Sequence, residues 1–223
     1  MPDVIPLADT TPVGTAPDGT APDGTAPAGT APVDTAILDA AAECVLAFGV
    51  RRTSLSDVAR RAGVSRPTVY RRWPDLTALV ADLMTREWAR TFAAAAPERA
   101  EFGSAREFAA GSIVAAVHAL RGHPLLAKII DVDPELLQPY IFDRLGAGQR
   151  MALEFITAQV AAGQADGSVR AGDPATLALV VLLAVQSFVF SGRVAATAAR
   201  DADALDAELA VLINGYLRPD GPS

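Results

Sequence analysis

Between Arg51 and Pro74, seven arginines (Arg51, Arg52, Arg60, Arg61, Arg66, Arg71 and Arg72) stand against one acid, Asp57. That is a net +6, which leaves −13 for the rest of a chain whose formal net charge is −7. A basic island in an acidic chain is the charge distribution of a module that grips a polyanion locally rather than coating it. Within the island the run Ser65-Arg66-Pro67-Thr68-Val69-Tyr70-Arg71-Arg72-Trp73 has helical spacing, with Val69 and Trp73 four apart on the face that should be buried. Arg66, Thr68, Tyr70, Arg71 and Arg72 then remain for a partner. Guanidinium groups fit a guanine edge in bidentate fashion, threonine reaches a thymine methyl or a phosphate, and a tyrosine hydroxyl donates to phosphate. The start of this helix, at Ser65 and Arg66, offers free backbone N–H groups to an anion.

The neighbouring elements must hold that helix in place. Ser65 caps it, and Pro67 is tolerated in the first turn, where its missing N–H would lack an intrahelical partner anyway. A tight turn, Gly63-Val64-Ser65, precedes it, and before the turn Ser54-Leu55-Ser56-Asp57 reads as a capping box opening a short helix with Leu55, Val58, Ala59 and Ala62 inward. An earlier helix should begin at Asp34 or Thr35, bury Ile37, Ala41, Cys44, Val45 and Phe48, and end at Gly49. Two short helices joined by a glycine turn, with arginines on the second, fit a helix-turn-helix. The competing reading is an ordinary helix pair with a solvated arginine face.

The rest of the chain also reads as helices. Asp75 is a plausible cap for a fourth, on which Leu76, Leu79, Val80 and Leu83 form one apolar stripe and Met84, Trp88 and Phe92 a second, so that it should touch two bodies. Ser104 to Glu107 opens another helix, with Phe108, Ile113 and Val117 inward. Asp133-Pro134 and Asp173-Pro174 each place a capping acid before a proline, predicting one long helix interrupted near Gly146-Ala147-Gly148 and another over about Ala175 to Thr197, followed by a last near Ala204 to Leu217. Alanine is abundant and aromatics make up 6% of the chain, which favours closely packed helices over sheet. The expected fold is all-α: a three-helix DNA-binding unit over 34–83 and a larger helical unit over 84–217. Residues 14–33, four copies of a GTAPX unit, carry no bulky apolar side chains except Val33, so 1–33 is expected to be a disordered arm and 218–223 a flexible tail.

The run TSLSDVARRAGVSRPTVYRRWPDLTALV resembles the DNA-binding domain of TetR-family regulators, and with the preceding helix the resemblance covers Ala36 to about Leu83. It implies a homodimer on double-stranded operator DNA, with Thr53 touching phosphate and Arg66, Pro67, Thr68, Tyr70 and Arg71 facing the DNA. It also implies a small-molecule effector bound in the larger unit, and a dimer seam made by the last two long helices, whose apolar content fits that role. One departure is that the family often has a lysine against the phosphate backbone where this chain has Leu76. Leu76 is then either DNA-facing or a core residue beside Leu79 and Val80.

Candidate pocket residues are Phe108, Ile113, Phe142, Phe155 and Phe188, with Gln186 as a polar contact and an apolar effector as the expected ligand. No catalytic motif, phosphate loop or cofactor site is present in the pattern. His118 and His123, five apart across Gly122, do not share a helix face for metal with Asp131, Asp133 and Glu135, and no metal is expected. The single cysteine, Cys44, excludes an internal disulfide. The longest apolar run, Leu177 to Phe190, is shorter than the roughly 20 residues of a membrane span. With no secretory start, the cytoplasm is the expected location. A ligand-responsive repressor is the leading functional expectation, with an activator as a variant. The alternative is a helical carrier or enzyme in which the basic module is incidental.

Overall fold

The computed structural model describes residues 30–192, 195 and 202–219, all helix or connecting turn. The helices are α1 (Thr30–Phe48), α2 (Leu55–Arg61), α3 (Arg66–Arg72), α4 (Leu76–Ala95), α5 (Ala105–Arg121), α6 (Pro124–Val132), α7 (Gln138–Phe142), α8 (Ala147–Ala165), α9 (Pro174–Phe190) and α10 (Ala202–Leu217), with 3-10 turns at Arg99–Glu101 and Pro134–Leu137. Most starts are where side-chain acceptors predict them. Ser54, Ser65, Asp75, Ser104 and Asp173 accept from the backbone N–H of Asp57, Thr68, Ala78, Glu107 and Thr176 respectively.

Two hydrophobic clusters organise these helices. The first joins α1 to α4 through Ile37, Cys44, Val45, Val58, Val69, Trp73, Leu79 and Leu83, and reaches past residue 83 to Leu125 and Ile129 of α6. The second packs α5, α8, α9 and α10 around Val117, Ile156, Val160, Val181, Leu209 and Ile213. Burial pushes the Cys44 thiol up, so it behaves as a small inert hydrophobe on the α1 stripe.

Several boundaries differ from the sequence expectation. α1 begins at Thr30, inside the last repeat, because Pro32 falls in the first turn, where proline is tolerated, and Val33 packs on the first cluster. Residues 30–33 of the expected arm are therefore helical, and residues 1–29 lie outside the described residues. Phe48 is 52% exposed rather than inward. The long helix expected after Asp133 is instead a 3-10 turn, the short α7 and, after the break at 143–146, α8. Asp133 caps nothing with its side chain. The helix expected to run to Thr197 ends at Phe190, and most of 193–201 lies outside the described residues, as does the tail from 220. No single described helix is long and apolar enough to cross a membrane.

Candidate nucleic-acid interface and ligand cavity

The first cluster fixes what α3 can present. Val69 is fully buried and Trp73 nearly so, with the Trp73 indole N–H donating to Asp82 of α4 at 2.8 Å. Opposite this anchor, Arg66, Pro67, Tyr70 and Arg71 are exposed, Tyr70 by 51%. Thr68 is half-buried, and its hydroxyl lies 2.8 Å from the exposed Ser65 hydroxyl.

Ion pairing divides the seven arginines. Arg51 pairs with Glu135, Arg60 with Asp57, Arg61 with Glu43, and Arg72 with Asp34 of α1. Arg72 is only 18% exposed at its side chain, so the pairing turns it away from a DNA-facing position and corrects the expectation for that residue. Arg52, Arg66 and Arg71 are exposed and pair with no carboxylate among the described residues. Arg52, just before Thr53, is a free cation that the sequence reading left among the general charge; only the pairing of its neighbours singles it out.

Thr53 and Leu76 also depart from expectation. Thr53 is buried, its hydroxyl donating to the Gly49 carbonyl at 2.8 Å and its backbone N–H to Val50, so both its donors are committed within the turn. Leu76 is half-buried against the first cluster, the core alternative, while Thr77 beside it is exposed.

The turn carrying Gly49 to Thr53 rests on Asp133. This carboxylate is fully buried and accepts from the Val50 N–H at 2.7 Å, while Arg51 Nε stands 3.6 Å away. Gly49 has φ +81°, and a Cβ there would sit 2.9 Å from both the Asp133 carboxylate and Val132, so only glycine allows this approach. The helix-turn-helix is thereby tied at one end to the segment after α6.

Below α4 lies a cavity of about 820 Å³. Phe108, Ile113, Phe155 and Gln186 line it, together with Met84, Trp88 and Phe92, the second stripe of α4. Phe142 does not: it is 78% exposed, because α7 stops at that residue instead of continuing as a long helix. Phe188 also lies outside the lining, packed on the second cluster. Sequence reasoning missed Ser112 on α5, and Leu136, Leu137 and Tyr140, wall residues whose part depends on the break before α8. It also missed Gly148, where a Cβ would meet the Trp88 ring at 2.4 Å. Asp82, which holds Trp73, lines the same cavity.

Among the described residues the titratable group that comes together is His118, Asp203 and Asp206, rather than the set weighed from sequence. There His118 Nδ1 lies 2.8 Å from Asp206, and the nearly buried Arg121 already pairs with the same carboxylate. His123 stands edge-on to Trp88, and burial holds its imidazole below the usual range.

A family model described as bacterial regulatory proteins, tetR family, matches residues 37–83. An uncharacterized HTH-type transcriptional regulator of Mycobacterium bovis is 42% identical over 178 residues, 80% of this chain and 90% of that protein. Among solved structures, the TetR-family repressor QsdR of R. erythropolis superposes with a TM-score of 0.62 at 16% identity, covering 87% of this chain and 99% of that one. FadR of Bacillus subtilis, in complex with stearoyl-CoA, superposes with a TM-score of 0.56 at 19% identity, covering 82% and 99%. The family match falls on α1 to α4, the elements that present Arg66, Tyr70 and Arg71, and the identity to a regulator continues through the cavity-forming helices. The chain belongs to the TetR family of bacterial transcriptional regulators.

Proposed function

We propose that the protein is a ligand-responsive repressor that binds an inverted-repeat operator as a homodimer and leaves it when a small, mostly apolar molecule fills the cavity below α4. The observation that carries this reading is the Trp73–Asp82 hydrogen bond. It joins the recognition helix to a residue of the cavity wall, on a helix whose two apolar stripes face the two bodies. A ligand that displaces Met84, Trp88 or Phe92 acts on the same rigid element that positions α3. Asp133 supplies a second joint, since Leu136 and Leu137, just after it, line the cavity.

On this reading residues 34–83 form the DNA-binding unit and 84–217 the ligand-binding and dimerisation unit. Arg66, Tyr70 and Arg71, with Thr68 and Pro67, meet the major groove, the start of α3 at Ser65 meets phosphate, and Arg52 adds a backbone cation. The dimer seam is the outer face of α9 and α10, where Leu179, Leu183 and Val211 are 40%, 55% and 65% exposed. Apolar side chains at that density are explained by a second copy. Two such subunits hold two α3 helices one DNA turn apart. Acting on DNA, the protein works in the cytoplasm. The carrier or enzyme alternative leaves the free Arg66, Tyr70 and Arg71 face and its tie to the cavity without a purpose.

Footprinting of the purified protein on the DNA upstream of its own gene tests the proposal. Protection of an inverted repeat is expected, lost on adding an effector found by screening. Absence of any sequence-selective footprint, or one unaffected by every compound that binds the cavity, contradicts it.

A further inference from the structure

The cavity's polar groups are distributed unevenly. Its charged wall residues, Asp82, Arg144 and Arg150, are all exposed and so stand at the opening. The Asp82 carboxylate is engaged by Trp73, and Arg144 lies over the Tyr140 ring at 5.6 Å. Among its uncharged polar wall residues, two have a buried atom without a hydrogen-bond partner. Ser112 of α5 is only 9% exposed, and its hydroxyl has no hydrogen-bond partner. Gln186 of α9 likewise has a buried side-chain nitrogen without a partner.

Orphaned buried donors are uncommon in folded proteins, because each forfeits its bond to water and gains nothing in return. The side-chain nitrogen of Gln186 only donates, and the Ser112 hydroxyl can donate. An acceptor oxygen on a ligand would satisfy both, within walls that are mostly apolar and aromatic. An anion held by these two groups would be a buried charge to which neither offers a counter-cation, an expensive arrangement. The volume, about 820 Å³, suits a drug-sized molecule.

We infer that the effector is an uncharged, largely apolar molecule whose carbonyl or ether-type oxygens accept hydrogen bonds from Gln186 Nε2 and Ser112 Oγ. This rests on the ligand-responsive reading above and narrows it. The apolar body fills the space between Trp88, Phe92, Phe108 and Phe155, and the two donors fix its orientation.

The test uses the full chain and four probes: benzophenone and 2-undecanone as neutral acceptors, diphenylmethane as the acceptor-free match of the first, and undecanoate as an acid of similar length to the second. Affinity is read from the rise in Tm with probe concentration, at fixed protein concentration. Benzophenone should bind roughly five- to tenfold tighter than diphenylmethane, and 2-undecanone at least tenfold tighter than undecanoate at pH 7.5. Ser112→Ala and Gln186→Leu should each narrow the gap between benzophenone and diphenylmethane, chiefly by weakening the ketone, with probe-free DNA affinity as the folding control. Equal binding of ketone and hydrocarbon overturns the inference. So does preference for undecanoate that is lost in Arg144→Ala, which would place an anionic head at the opening and leave the ligand-responsive reading intact. If no probe binds, or binding leaves DNA affinity unaltered, that reading falls together with the inference.

Discussion

Asp133 joins the two bodies through one buried acceptor, and replacing it gives a graded series. In Asp133→Ala the Val50 N–H, bound at 2.7 Å in a fully buried site, loses its only acceptor. Leaving such a donor unsatisfied costs about 1–3 kcal/mol. The Arg51 contact adds little, since that side chain is 69% exposed, the separation is 3.6 Å and Arg51 keeps its pairing with Glu135. The lost burial of a charge offsets part of the cost, so about 2 kcal/mol is expected. At roughly 2–4 °C per kcal/mol for a chain of this size, Tm falls by about 4–8 °C. Asp133→Asn keeps an acceptor oxygen for Val50 and should cost less than about 1 kcal/mol. Thermal unfolding at fixed protein concentration reads the series, and operator affinity should follow it because the Gly49–Thr53 turn leads directly into α2. An alanine variant within 1 °C or so of wild type would refute the argument. So would an asparagine variant as damaged as alanine, since the decisive feature would then be the charge.

Arg71→Ala should cost about 1–3 kcal/mol of operator binding and relax one base position, while Arg72→Ala, freed from Asp34, should act chiefly on Tm; gel-shift and melting data on both variants separate the roles. Leu76→Lys puts a charge where a half-buried side chain packs, so it should lower Tm and leave the salt slope of DNA binding unaltered; a slope steeper by roughly 0.9 at constant Tm would show that Leu76 faces phosphate. Gly148→Ala forces the Trp88 ring away from α8, and should blue- or red-shift the tryptophan emission and weaken cavity binding of benzophenone. Burial holds the His123 pKa below its unfolded value near 6.5, so the unfolded chain takes up a proton first as pH falls. Stability should then drop below about pH 6.5, and His123→Gln should flatten that part of the curve measured by denaturant melts.

What could be read from sequence and what could not follow the range of the interactions. Ser54, Ser65, Asp75, Ser104 and Asp173 cap helices three residues away, and the α4 stripes follow from helical period alone, so these features were legible. Arg72 was not, because its side chain is decided by Asp34 on another helix, and Asp133 was not, because Val50 lies 83 residues away. Both residues also had a satisfactory local role, as a helix-face cation and a cap before proline, which hid the long-range one. The cavity was half legible. Phe108, Ile113 and Phe155 sit on regular helices, whereas Phe142 was misplaced because the chain from Pro134 breaks into short turns. Ser112 reads as an unremarkable small residue on α5, and its unpaired hydroxyl shows only in the folded packing.

The central claim is that the α3 face reads duplex DNA. Selection of the purified protein on a randomised duplex library, sequenced after several rounds, tests it directly. An enriched inverted repeat is expected, its half-sites about one helical turn apart, with one position of each half-site relaxed when the selection is repeated with Arg71→Ala. Enrichment of no sequence, or of the same sequence undiminished by Arg71→Ala and Tyr70→Phe, would contradict it.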